Sequence, residues 1–90
     1  MINEDLKYIA DHYGRIHQLE KLKEELNELI EAINSMNDVA IIEEITDVEI
    51  MTNQLKYLMR AERLVEHYKN YKTQRQLARI AKELGNEHDN

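Results

Sequence analysis

The 90-residue chain contains no cysteine, no proline, no phenylalanine and no tryptophan, and only two glycines, Gly14 and Gly85. The missing cysteine excludes disulfides, thiolate zinc sites and cysteine nucleophiles. Without proline and with so little glycine, turn chemistry for β-hairpins is scarce, and the residues that remain favour helix. No apolar run approaches the roughly 18 residues of a membrane span. Asn3, Glu4 and Asp5 stand where a signal peptide would carry its apolar stretch. These absences predict a cytoplasmic, all-α chain forming one domain over residues 1–90. A chain this short buries only about 60–65% of its unfolded surface, so a partner chain is expected to complete its core.

What is abundant is charge. Twelve basic residues face 18 acidic ones, a net charge of −6, which argues against stable nucleic-acid binding. The two signs are separated along the chain. Residues 17–51 hold ten acids and two bases, whereas residues 56–82 hold eight bases and two acids.

The apolar spacing predicts a bundle of three to four helices. A short first helix over residues 3–13 has Asn3 as its cap, Leu6, Ile9, Ala10 and Tyr13 inward, and Gly14 as its end. A second runs over about 15–34, with Ile16, Leu19, Leu22, Leu26, Leu29 and Ile33 as its packed face. Residues 34–38 form a loop in which Asn37 or Asp38 caps the next helix. That third helix starts near 39 and is expected to run beyond 60, with Ile41, Ile45, Val48, Leu55 and Met59 on one side. Ile50, Met51 and Leu58 lie outside that stripe, as on a helix shared between chains of a dimer or tetramer. A last helix over about 73–84 turns Leu77, Ile80, Ala81 and Leu84 one way and bases the other.

Two segments share a pattern: Glu25-Leu26-Asn27-Glu28-Leu29 and Glu44-Ile45-Thr46-Asp47-Val48. Acids three apart are separated by only about 60° around a helix. Both pairs fall at the same angular offset beside their apolar stripes. If the two helices pack antiparallel, four carboxylates converge at one edge of the bundle. They would raise one another's pKa unless a cation sat among them, and an all-oxygen donor set favours Mg²⁺ or Mn²⁺. A single such pair is common on a solvated face, but such faces usually alternate charge, and residues 24–51 contain no Lys or Arg. A di-iron bundle needs Glu-x-x-His on two helices, a pattern this chain lacks.

The run Lys23-Glu24-Glu25-Leu26-Asn27-Glu28-Leu29-Ile30-Glu31-Ala32-Ile33, followed by Glu43-Glu44-Ile45-Thr46-Asp47-Val48-Glu49-Ile50-Met51, resembles the MazG-like family of all-α nucleoside triphosphate pyrophosphohydrolases, most of all its short, phage-type members. The family's Glu-x-x-Glu, spacer, Glu-x-x-Asp signature maps onto Glu25, Glu28, Glu44 and Asp47. The resemblance implies a Mg²⁺-dependent cut between the α and β phosphates of a nucleotide, releasing a monophosphate and pyrophosphate. It implies that the four acids hold the metal and that one of Glu25 and Glu28 activates the water.

Lys72, Arg75, Arg79 and Lys82 form one basic stripe on a helix. They are candidates for gripping nucleotide phosphates; the alternative is a solvated basic face that partners acids elsewhere. The Tyr-Pro ending common in longer family members is absent after them. Gln18, two turns before Glu25, is a candidate contact to the sugar or base, with a plain polar surface residue as the alternative. Two other function classes remain open: a non-catalytic helical interaction module with a solvated acidic face, and a phosphate-ester hydrolase for another nucleotide derivative.

Overall fold

Capping side chains mark where the first two helices begin. In a computed structural model describing residues 2–88, with side chains to residue 85, three helices follow one another: α1 (Glu4–Ser35), α2 (Asp38–Leu58) and α3 (Glu62–His88). The Asn3 side chain accepts from the Leu6 backbone N–H at 2.9 Å, and that of Asn37 accepts from Ala40 at 3.2 Å. Each satisfies one of the donors a helix start leaves free. Gly14 adopts φ 83°, ψ 170° inside α1, a conformation essentially reserved for glycine. The two helices expected over 3–13 and 15–34 are therefore two helical segments that follow directly on one another within α1, broken at the expected residue.

The break after α2 carries no glycine or proline, and here the expectation needs correction. The third helix does not run beyond 60; it ends at Leu58. Arg60 takes a left-handed conformation, φ 54°. Its N–H donates to the Tyr57 carbonyl at 3.0 Å, and that of Ala61 donates to the Lys56 carbonyl at 2.8 Å. This paired closure satisfies the last carbonyls of the helix and normally uses glycine; with arginine it costs about 1 kcal/mol. The last helix likewise starts at Glu62 rather than near 73.

Helices α1 and α2 pack as an antiparallel hairpin in which Asp11 meets Tyr57, Gln18 meets Gln54, and Glu25 stands opposite Glu44 and Asp47. The seam on α1 is the line Gln18, Leu22, Glu25, Leu29 and Ala32, in which Gln18, Glu25 and Ala32 are buried. Met51, Gln54 and Leu55 answer from α2. Of the stripe expected to pack, Leu22 and Leu29 lie in this seam, while the other members are turned outward: Ile16 is 81% exposed, Leu19 38%, Leu26 41% and Ile33 52%.

Helix α3 touches α2 sparsely and does not pack on α1. Its Leu64, Tyr68, Tyr71, Leu77, Ile80 and Leu84 are all more than half exposed. The molecule measures 58 × 35 × 20 Å with a radius of gyration of 17.5 Å, against about 12 Å for a compact chain of this length. It is a hairpin with an arm. Among the described residues, no helix is long and apolar enough to cross a membrane.

Candidate metal centre

Halfway along the hairpin, the two acid pairs meet. Glu25 and Glu28 project from α1 and Glu44 and Asp47 from α2, with one carboxylate oxygen of each lying within 4.8 Å of the others. The i, i+3 spacing puts each pair on one edge of its helix. The tight turn at Met36 and Asn37 then fixes the antiparallel register that faces the pairs across the seam.

The cluster is short of positive charge. Lys21 Nζ lies 3.4 Å from Glu25 Oε1 and 3.3 Å from Glu24 Oε2. Among the described residues it is the only cation within ion-pair distance of the four acids. Glu25 Oε2 and Glu44 Oε2 are buried and have no hydrogen-bond partner. Burial pushes the Glu25 carboxyl above its usual range, and the charges of Glu28 and Asp47 add to this while Lys21 opposes it. Glu44 is raised in the same way, by burial first and then by Glu28 and Asp47. Unpartnered buried anions are costly. A divalent cation among four carboxylates would supply the missing partner to both oxygens, so these residues fit a hard, oxygen-seeking ion.

Next to the acids, Tyr13, His17, Gln18, Lys21, Glu24 and Met51 line a cleft of about 430 Å³ together with Glu20. Gln18 belongs to its wall. It is not a plain surface residue: 3% exposed, it donates through Nε2 to Gln54 Oε1 at 2.7 Å and pairs through Oε1 with His17 Nδ1 at 2.8 Å. The His17 ring stacks on Tyr13 with centroids 4.5 Å apart. Sequence reasoning missed Lys21, Gln54 and this stacked pair. The register that brings Gln54 to Gln18 is a property of the folded hairpin, whereas Lys21, four residues before Glu25, was legible as a helix neighbour.

The basic stripe lies elsewhere. Lys72, Arg75 and Arg79 sit along the middle of α3, which packs only sparsely on the hairpin. Among the described residues none of them makes an ion pair; the Arg75 guanidinium rests 5.8 Å from the centre of the Tyr71 ring. The fold thus brings Glu25, Glu28, Glu44, Asp47 and Gln18 to one region and leaves Lys72, Arg75 and Arg79 apart from it. Comparison with protein-family models, curated proteins and solved structures returned no match for the chain.

Proposed function

We propose that the chain is a cytoplasmic, Mg²⁺-dependent nucleoside triphosphate pyrophosphohydrolase of the MazG-like type, working as a homo-oligomer. The observation that carries the reading is the convergence of Glu25, Glu28, Glu44 and Asp47 with two buried oxygens that have no partner. A solvated acidic face has no reason to bury unpartnered carboxylate oxygens. The uncovered apolar faces of α1 and α3 support the oligomer.

In this reading the four acids hold Mg²⁺, with Mn²⁺ as its natural substitute. The ion supplies charge neutralisation for a pyrophosphate leaving group. The Glu25–Glu28 pair orients a water towards the α phosphorus and accepts its proton. The bond from the α phosphorus to the bridging oxygen breaks, and pyrophosphate leaves with the electron pair. Gln18 and the Tyr13–His17 stack offer a polar edge and an aromatic wall for the nucleoside. Lys72, Arg75 and Arg79 are assigned to the phosphates.

The test is incubation with a panel of ribo- and deoxynucleoside triphosphates and Mg²⁺, assaying pyrophosphate. Release that disappears in Glu44→Gln supports the proposal. Silence across the whole panel rejects it in favour of a non-catalytic acidic interaction surface.

A further inference from the structure

Among the described residues, three lysines form ion pairs with an acid that precedes them: Lys7 with Glu4, Lys23 with Glu20 and Lys69 with Glu66. That order agrees with the helix dipole and supports the helix. Lys21 departs from it, because its partners Glu24 and Glu25 come after it. The reversed order is the poorer one for holding a helix together, so helix support does not account for it. Lys21 differs in a second respect. Among the described residues it alone bridges two acids, and it alone reaches a buried one. The Glu25 side chain is 9% exposed, whereas those of the other paired acids are 65% to 89% exposed.

The grip of Lys21 is loose. Its ammonium stands 3.3 Å from Glu24 Oε2 and 3.4 Å from Glu25 Oε1, against about 2.7–2.9 Å for a tight charge-assisted bond. It is shared between an acid of the cluster and an acid on the wall of the cleft, where Lys21 is the only lysine or arginine. Glu25 Oε2 and Glu44 Oε2 have no partner, so one ammonium at the rim does not balance four carboxylates that lie within 4.8 Å of one another. A divalent cation balances them better. It also repels the ammonium twice as strongly as a single charge at the same distance would. The two cations therefore compete for one cluster, and Glu24 is within reach of the one that yields.

We infer that Lys21 is the cluster's own counter-ion and that a divalent cation displaces its ammonium from Glu25 to Glu24. The inference rests on the metal-centre part of the proposed function and not on the hydrolysis. Lys21 is then a positioning residue with two stations. It steadies the hairpin while the cluster has no metal, and it sets the Mg²⁺ concentration at which the cluster fills. The two effects are one free energy seen from either side. Each tenfold of metal affinity given up to Lys21 is about 1.4 kcal/mol of stability gained by the metal-free hairpin.

The test is titration calorimetry of Mg²⁺ into the wild type, Lys21→Met, Lys21→Arg, Glu24→Gln and the Lys21→Met/Glu24→Gln double variant, with thermal melts of the same proteins in metal-free buffer. Methionine keeps the helix preference of lysine without its charge. Lys21→Met is expected to bind Mg²⁺ about three- to tenfold more tightly and to melt lower without metal, the difference closing at saturating Mg²⁺. Lys21→Arg keeps the charge and is expected to bind no more tightly than the wild type. Glu24→Gln is expected to weaken Mg²⁺ binding when Lys21 is present and to have a smaller effect beside Lys21→Met, because only the lysine needs the second acid. If Lys21→Met binds Mg²⁺ as the wild type does, or more weakly, the inference is overturned. Equal effects of Glu24→Gln in both backgrounds overturn Glu24 as the receiving acid. A wild type that takes up no Mg²⁺ removes the metal centre and the exchange together. One that binds Mg²⁺ but leaves nucleotides intact removes the hydrolase alone, and the titrations still decide the exchange.

Discussion

Glu44 concentrates the physical problem of the hairpin, because its buried Oε2 has no partner and its neighbours are anions. Glu44→Gln removes one charge at nearly constant volume. Calorimetric titration should show Mg²⁺ affinity falling at least tenfold, while the metal-free fold is retained or gains stability as repulsion is relieved. Glu31→Gln, outside the cluster, should bind Mg²⁺ as the wild type does; equal binding in all three proteins would rule out the metal site. A pH dependence follows from the same groups. The folded chain holds protons on Glu25 and Glu44 more tightly than the unfolded chain does, so the stability they contribute is present at acid pH. It is lost as pH rises from the ordinary carboxylate range through their raised values. In metal-free buffer the melting temperature should fall as pH rises above the ordinary carboxylate range, and saturating Mg²⁺ should flatten that fall. A metal-free melting temperature that is level or rises over this window contradicts the assigned shifts.

At the scale of the helix, caps and kinks were legible and the packed face was legible only in part: Ala10, Leu22, Leu29 and Leu55 pack as expected. Asn3, Asn37 and Gly14 carry their conformations in their side chains, or in the lack of one, and the structure places each as its chemistry requires. Apolar periodicity also selected Ile16, Leu19, Leu26 and Ile33, which are exposed. Periodicity marks any face that something covers, and it cannot tell a partner helix of the same chain from one of another molecule. The true seam was masked because it is polar at Gln18 and Glu25. The four acids survived this error because their geometry depends only on spacing within each helix and on antiparallel pairing. The joint at Arg60 was invisible for a different reason: hydrogen bonds to Tyr57 and Lys56 impose a left-handed residue where no glycine announces one. Gly14 yields a prediction at this scale. A Cβ there meets no atom within 4 Å, so only backbone strain opposes it. Gly14→Ala should cost about 1–3 kcal/mol in chemical denaturation, with helical content by circular dichroism almost unchanged. A neutral effect would mean that the kink is not held in solution.

For the molecule as a whole, the uneven distribution of contacts sets the order of assembly. Almost all contact between elements lies in the α1–α2 hairpin, whose chain reversal takes two residues, while α3 gains little from its own chain. Hairpin closure is local and therefore fast. If α3 completes its core against another chain, the second step must wait for a collision. Refolding followed by stopped-flow fluorescence of the five tyrosines should resolve a fast phase independent of protein concentration and a slower one whose rate rises in proportion to it. A single concentration-independent phase would mean that the arm finds its place without a partner. If the chains assemble through α3, the joint at Arg60 also governs how that assembly ends. If both arms leave their hairpins at the angle of a two-fold axis, the pair closes and growth stops. An arm set at another angle offers its acceptor surface to a third chain, and the contact that makes a dimer then propagates as a filament.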